Sequence, residues 1–317
     1  MSARSATGAT TPRDRPRSWP LRDRLGYLAA WAAGLTLIVV AASIVIYMGV
    51  KGAQYFDLHL LTQSPAPELD QSKSGGFKDP LIGTVIVLVL ATLIATPLGV
   101  AIAVWLSEYG RPTGLARTVE SGIEIVAGTP SIVLAIFGLI LFQQQVLQPL
   151  TLDTEGAVLG RSFIACSSMM SLIALPLVVG STREALNSIP AHVREASYAL
   201  GKTKAATIRR VLLPAARPGI GTGTALGMGR VAGDTAIVII LLGATLTFQT
   251  GSDDIFGPLR GIGSTLTSYV YVNSPAGEGL SPQKAYFAAF VLLLIVIALN
   301  FVAGRIVRGR REVEWSR

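Results

Sequence analysis

Charge is scarce in this sequence: Asp, Glu, Lys and Arg make up 15% of its 317 residues, while half of the chain is hydrophobic. Soluble domains carry about 25% charge, so the deficit is too large for an ordinary water-facing core. Cysteine is nearly absent. Cys166 stands alone, which excludes an internal disulfide, and its place in an apolar run reads as a small buried hydrophobe rather than a redox or metal thiol. No Gly-x-x-x-x-Gly-Lys-Ser/Thr stretch occurs, so the chain has no phosphate cradle for a nucleotide, and no cofactor or metal is expected on it. The alternation of lipid-facing and lumen-facing residues that marks barrel strands is missing as well.

What is present is a set of long uncharged runs. No charged residue falls between Arg24 and Lys51, Asp79 and Glu108, Glu124 and Asp153, Arg161 and Arg183, or Lys284 and Arg305. A sixth run, from Pro218 to Ser252, is interrupted only by Arg230 and Asp234. An apolar helix of about 20 residues crosses the hydrocarbon layer, and backbone groups there must be satisfied within the element. The runs therefore predict an all-α integral membrane protein with six transmembrane helices, near 27–50, 82–107, 120–146, 163–186, 218–245 and 285–307.

With the N-terminus inside, twenty of the 27 Lys and Arg residues fall on cytoplasmic segments and six on outer ones. That asymmetry predicts that both termini are cytoplasmic. The basic balance is then a matter of topology and calls for no nucleic-acid partner. The Ser-, Thr-, Arg- and Pro-rich start reads as a disordered cytosolic tail over 1–24. It is not a signal peptide, because the apolar run behind it is too long and ends without a small-residue cleavage site. Beyond it, 25–80 holds the first helix and an extracytoplasmic loop, 81–307 the core with a long cytosolic loop at 188–217, and 308–317 a second basic tail.

Several spans carry prolines among small residues, as in Ala95-Thr96-Pro97-Leu98-Gly99, Ala127-Gly128-Thr129-Pro130-Ser131 and Ala174-Leu175-Pro176. Such stretches serve close helix packing, or a pathway of broken helices whose amides meet an anion; alone they favour packing. Arg230 and Asp234 are different, since ionisable residues at membrane depth are costly and mark functional sites by default. At i and i+4 of one helix they can pair, either as a structural clamp or as an arginine held on an anion pathway.

In the loop between the fourth and fifth spans, Pro190 suits a first helical turn and Gly201 a C-terminal stop. Val193, Ala196, Ser197 and Leu200 recur at i, i+3, i+4 and i+7 and predict one narrow face of mostly small residues. A small-residue helix under the membrane suits docking into a partner's groove. Glu195-Ala196-Ser197, then three residues, Gly201, nine residues, and Val211-Leu212-Leu213-Pro214 resemble the EAA loop of bacterial ATP-binding-cassette import permeases.

Over roughly 75–305 the chain is similar to the phosphate-specific members of that family, closer to the A-type than the C-type permease. The residues that carry this are Gly83-Thr84, Ala95 to Gly99, Leu106-Ser107-Glu108-Tyr109, Ala127 to Val133, Phe137-Gly138, Arg183 to Leu186, Ala199 to Lys204 and Thr207 to Arg210. Gly229-Arg230-Val231-Ala232-Gly233-Asp234-Thr235-Ala236 resembles the family's Arg-x-x-Gly-Glu-Thr-Ala signature, with Asp234 in place of Glu and Ile237 where proline commonly follows. Gly180 stands where many relatives have an arginine.

The resemblance implies the type I importer permease fold in the bacterial cytoplasmic (inner) membrane. It implies as partners a second homologous permease, an ATPase dimer that uses ATP and Mg, an extracytoplasmic phosphate-binding protein and the surrounding membrane lipid. The permease itself is then a transport subunit rather than an enzyme. Carried over residue by residue, Arg194, Glu195, Ala196, Ser197, Ala199, Leu200, Gly201 and Pro214 fall in the ATPase-coupling loop, and Arg230, Asp234, Thr235, Thr129 and Ser131 on the substrate pathway. The EAA loop reads the ATPase rather than the cargo, so sulfate, molybdate or an organic solute stays open. An intramembrane aspartyl protease is a remote rival: it needs Gly-x-Gly-Asp and a second membrane aspartate, and here the sequence is Val231-Ala232-Gly233-Asp234 with no other aspartate in a span.

Overall fold

The structure is a computed structural model that describes residues 20–54, 56–65, 75–110, 113–151, 159–243, 248, 257–275 and 281–308. Of the tails expected over 1–24 and 308–317, residues 1–19 and 309–317 lie outside the described residues, while Leu21 to Arg24 and Arg308 are helical, because the apolar helices behind them extend past the last uncharged residue. Residues Met1–Val50 and Lys51–Arg317 form two compact units. The described part of the first is one helix, α1 (Leu21–Ala53), which runs three residues into the second unit. Leu35, Leu37, Ile38 and Ile46 along it are all exposed, as suits a helix solvated by hydrocarbon rather than water.

In the second unit the chain passes through α2 (Leu58–Thr62), α3 (Lys78–Val104), a π turn (Trp105–Tyr109), α4 (Gly114–Gly128), α5 (Ser131–Phe142), α6 (Phe163–Asn187) and α7 (Ala191–Ala199). It continues through α8 (Lys204–Thr207), a second π turn (Ile208–Leu212), α9 (Leu213–Gly233), α10 (Ala236–Leu241), α11 (Gly257–Arg260), α12 (Leu266–Asn273) and α13 (Pro282–Arg308). There is no strand among the described residues.

Among the described residues, four helices are long and apolar enough to cross a membrane: Leu21–Ala53, Lys78–Tyr109, Phe163–Asn187 and Pro282–Val302. They match the first, second, fourth and sixth expected spans. The third, expected as one helix over 120–146, is broken into α4 and α5, which meet at 109°. Pro130 is the cause. A residue before proline is pushed out of the helical region, and Thr129 sits at φ −76°, ψ 130°. Its hydroxyl donates to Ile125 O at 2.7 Å, so the opened helix end is satisfied. The fifth span, expected over 218–245, begins earlier, at Leu213, and is interrupted at Asp234 and Thr235 before α10 resumes it; 244–247 lie outside the described residues. Pro97, Pro176 and Pro218, by contrast, sit inside α3, α6 and α9 without ending them.

The centre of this unit is α6, whose Cys166, Met169, Met170, Ala174 and Val178 are buried. It is flanked by α3 and α9, and α13 packs on α9 and α12. The α9 contact is close because of Gly223: a Cβ there would fall 2.9 Å from Ser181 Cβ and 3.1 Å from Leu177 O. Small residues at such crossings let backbones approach where hydrocarbon offers no hydrophobic drive. Ser181 Oγ also donates to Gly219 O at 2.7 Å across the same crossing, and an Arg183–Glu120 ion pair of 2.6 Å ties α6 to α4.

Candidate functional site

Two places collect the residues that the sequence singles out: the corner built around α7, and the break between α9 and α10. In the corner, Pro190 stands at the helix N-cap in an extended conformation, and α7 stops at Gly201, whose φ is +74°. Gly201 N donates to Tyr198 O at 2.9 Å and Lys202 N to Ser197 O at 3.2 Å, the paired bonds of a Schellman stop. No atom lies within 4 Å of a Cβ built on Gly201. Glycine is therefore needed for the left-handed backbone and not for space.

The single face expected from Val193, Ala196, Ser197 and Leu200 is split. Val193 and Ser197 are buried, joining Leu186, Ile189, Ile208 and Leu212 in or beside one apolar cluster. Ala196 and Leu200 are exposed, Leu200 to 78%. Leu200 is the C-cap, with ψ at 12°, so the chain has already left the helix there and carries the side chain off the cluster. Ser197 is drawn inward by its hydrogen bond to Thr207 Oγ1, 2.8 Å long. The outward surface of the corner is formed by Glu195, Ala196, Ala199, Leu200 and Gly201.

Arg194 turns the other way. Its guanidinium donates to Ile189 O at 2.7 Å, to Leu186 O at 2.8 Å and to Glu108 Oε1 at 3.1 and 3.2 Å. It thus fastens α7 to the end of α6 and to the π turn that ends α3. Lys204 adds a second tie, donating to Glu108 O and resting over the Tyr109 ring at 4.4 Å from its centroid. Pro214, in the first turn of α9, is half-buried and lines a cleft against α3. Glu108, Lys204 and Thr207 entered the sequence reading only through the family resemblance and were given no site role there. The available signal was a lone carboxylate ending a charge-free run, across from a loop with six Lys and Arg residues.

At the second place, Asp234 is buried, 6% exposed, and accepts from Ile237 N at 3.1 Å, so it caps α10. Arg230, in the last turn of α9, is exposed and has no hydrogen-bond or ion-pair partner among the described residues. The pairing that their spacing would allow is not formed: Asp234 has left the helix (φ −86°, ψ 120°), and one-turn spacing no longer brings them together. Arg230 continues an exposed stripe at four-residue spacing with Thr222 and Leu226. Thr235 and Ser131 are half-buried at the starts of α10 and α5, and Thr129 marks the bend before α5. No hydrogen bond joins Thr129 or Ser131 to Arg230 or Asp234 among the described residues. The helices that follow the two breaks, α5 and α10, do pack on each other.

Comparison with known proteins gives a consistent answer. The model of the family described as "Binding-protein-dependent transport system inner membrane component" matches residues 95–311. A probable ABC transporter permease protein of Bacillus subtilis, YqgH, is 30% identical over 91% of both chains. Phosphate transport system permease protein PstA 1 of Mycobacterium tuberculosis is 34% identical over 79% of this chain and 77% of its own. PstC of Mesorhizobium japonicum is 27% identical over 94% and 93%. Among solved structures, a chain of the bacterial alginate ABC transporter aligns with a TM-score of 0.61 at 17% identity, covering 91% of this chain and 95% of that one. A chain of the inward-facing MetNI methionine transporter aligns with a TM-score of 0.58 at 20% identity, covering 74% and 96%. The chain belongs to the binding-protein-dependent transport system inner membrane components, the multi-pass, non-catalytic permease subunits of ATP-binding-cassette importers.

Proposed function

We propose that this chain and a second homologous permease together form the pathway of an importer for inorganic phosphate, with six spans and both termini in the cytoplasm. A partner ATPase dimer docks on the outward surface of α7, and an extracytoplasmic phosphate-binding protein delivers the ion. The observation that carries the reading is Arg230. An exposed guanidinium at the end of α9, without a partner among the described residues, offers a planar fork of donors to an oxyanion, and relatives carrying phosphate in their names cover most of the chain. The higher identity to PstA 1 than to PstC supports the A-type role.

On this reading, ATP binding draws the ATPases together, and the corner of α7, Arg194 and Glu108 passes that movement to α3 and α6. It is a population shift, driven by the difference in ATPase affinity between two arrangements of the spans. Sulfate or molybdate would meet the same fork, so cargo is decided by uptake. The complete complex, reconstituted in proteoliposomes, should accumulate radiolabelled phosphate on addition of ATP, with excess sulfate or molybdate competing poorly. Accumulation of labelled sulfate or molybdate in preference to phosphate would end the phosphate reading.

A further inference from the structure

Between the α7-proximal ends of α3 and α9 lies an open cleft of 690 Å³, within the roughly 300–1,000 Å³ that ligand pockets occupy. Pro97, Val100 and Val104 form one wall and Leu213 and Ile220 the other. Arg209, on the π turn before α9, and Arg217 line it as well. Both arginines are exposed, and neither has a hydrogen-bond or ion-pair partner among the described residues. At its far end, the Thr96 and Thr224 hydroxyls meet at 3.4 Å.

We propose that this cleft is a binding site for an anionic phospholipid, with an acyl chain along the apolar walls and the phosphate held by Arg209 and Arg217. A slot with apolar walls and cationic groups on one flank is complementary to an amphiphile. Two guanidinium forks suit a phosphodiester, and basic pockets between helices on the cytoplasmic side are where anionic headgroups are captured. Free phosphate, the cargo of the preceding section, fits the same arginines but not the slot: apart from them and a threonine already engaged, the walls give a dehydrated ion no donors. The cleft also lies on a different side of α9 from the Arg230 stripe. Arg217, Ile220 and Thr224 recur at three- and four-residue spacing toward α3, while Thr222, Leu226 and Arg230 follow another line. The proposal rests on the cytoplasmic placement of the α7 end, and not on phosphate being the cargo.

The test is native mass spectrometry of the full chain, alone and in the assembled importer, released from nanodiscs of mixed phosphatidylglycerol and phosphatidylcholine. Wild type should retain phosphatidylglycerol in preference to phosphatidylcholine. Retention should fall about tenfold or more in Arg209→Gln/Arg217→Gln, the loss expected when charge-assisted contacts are removed, and similarly in Val100→Trp, which fills the slot without touching the charges. Millimolar inorganic phosphate should not displace the lipid. Equal retention of the two lipids, wild-type retention by either variant, displacement by inorganic phosphate, or loss of the lipid when the second permease binds would each overturn the site. Labelling of Lys202→Cys in intact cells by an impermeant maleimide checks the orientation separately, so a wrong topology and a wrong site give different results.

Discussion

Arg194 and Glu108, 86 residues apart in sequence, meet at 3.1 Å with the Glu108 side chain only 7% exposed and that of Arg194 22% exposed. Arg194 also takes up two carbonyls at the end of α6. One side chain therefore joins α7, α6 and the π turn of α3, and the pair is a structural link between the outward surface of α7 and the spans. Removing one partner of a fully buried pair costs about 3–5 kcal/mol, because a charge is left unpaired, and the partly exposed arginine makes the cost smaller here. Arg194→Ala, which also orphans the carbonyls, should lower the thermal midpoint of the purified chain more than Glu108→Gln, which keeps an acceptor. Equal stability of the two variants and wild type would show that the pair bears no load.

The split face of α7 separates docking from folding. Leu200 is exposed and outside the cluster, so Leu200→Asp should leave expression and thermal midpoint unchanged while reducing co-purification of the ATPase. Val193→Ala, inside the cluster, should instead cost stability, by about 1–2 kcal/mol for the lost methyl groups and the gap they leave. If Leu200→Asp unfolds the chain, or Val193→Ala affects only ATPase capture, the assignment of faces is reversed.

Gly201 needs its positive φ but not its small volume. Asparagine tolerates that conformation and β-branched residues do not. Gly201→Asn should retain most ATPase association and uptake, whereas Gly201→Val should lose both while still inserting in the membrane. Loss of coupling in both variants to the same degree would mean that the ATPase needs bare backbone at this point.

Which parts of this fold were legible in the sequence follows from what charge patterning reports. A run without charge marks apolar surroundings, so α1, α3, α6 and α13 were recovered as spans. The same run says nothing about direction, and Thr129-Pro130 turns the third span through 109° inside an unbroken apolar stretch. Pro130 ends a helix where Pro97 and Pro176 do not, and local sequence does not separate these cases. The possibility that Arg230 and Asp234 pair assumed a continuous helix, and the chain leaves the helix at Asp234, whose carboxylate accepts from Ile237 N instead. Glu108 was missed because its partners come from α7 and α8, and periodicity within one element cannot report a contact across the chain. The Gly201 stop and the Pro190 start of α7 were legible because both rest on local backbone chemistry.

The break after α9 allows the roles of Arg230 and Asp234 to be separated, because each side chain has a different local task. Asp234 is buried and holds Ile237 N at 3.1 Å. Asparagine caps a helix about as well as aspartate, so Asp234→Asn should retain stability. It should retain uptake too if capping is its whole contribution. Asp234→Ala leaves the α10 amide unmet and should cost about 1 kcal/mol, with a fall in thermal midpoint. Arg230 is exposed and without a partner among the described residues, so Arg230→Ala should assemble with normal stability, and any loss of uptake then comes from the missing guanidinium. Arg230→Lys retains the charge but not the planar fork, and it should transport more slowly than wild type at equal assembly. A structural clamp predicts something else: Arg230→Ala alone would be destabilised and Arg230→Ala/Asp234→Ala would recover. Uptake by Arg230→Ala at the wild-type rate, or recovery of uptake in the double variant, would remove Arg230 from the phosphate pathway.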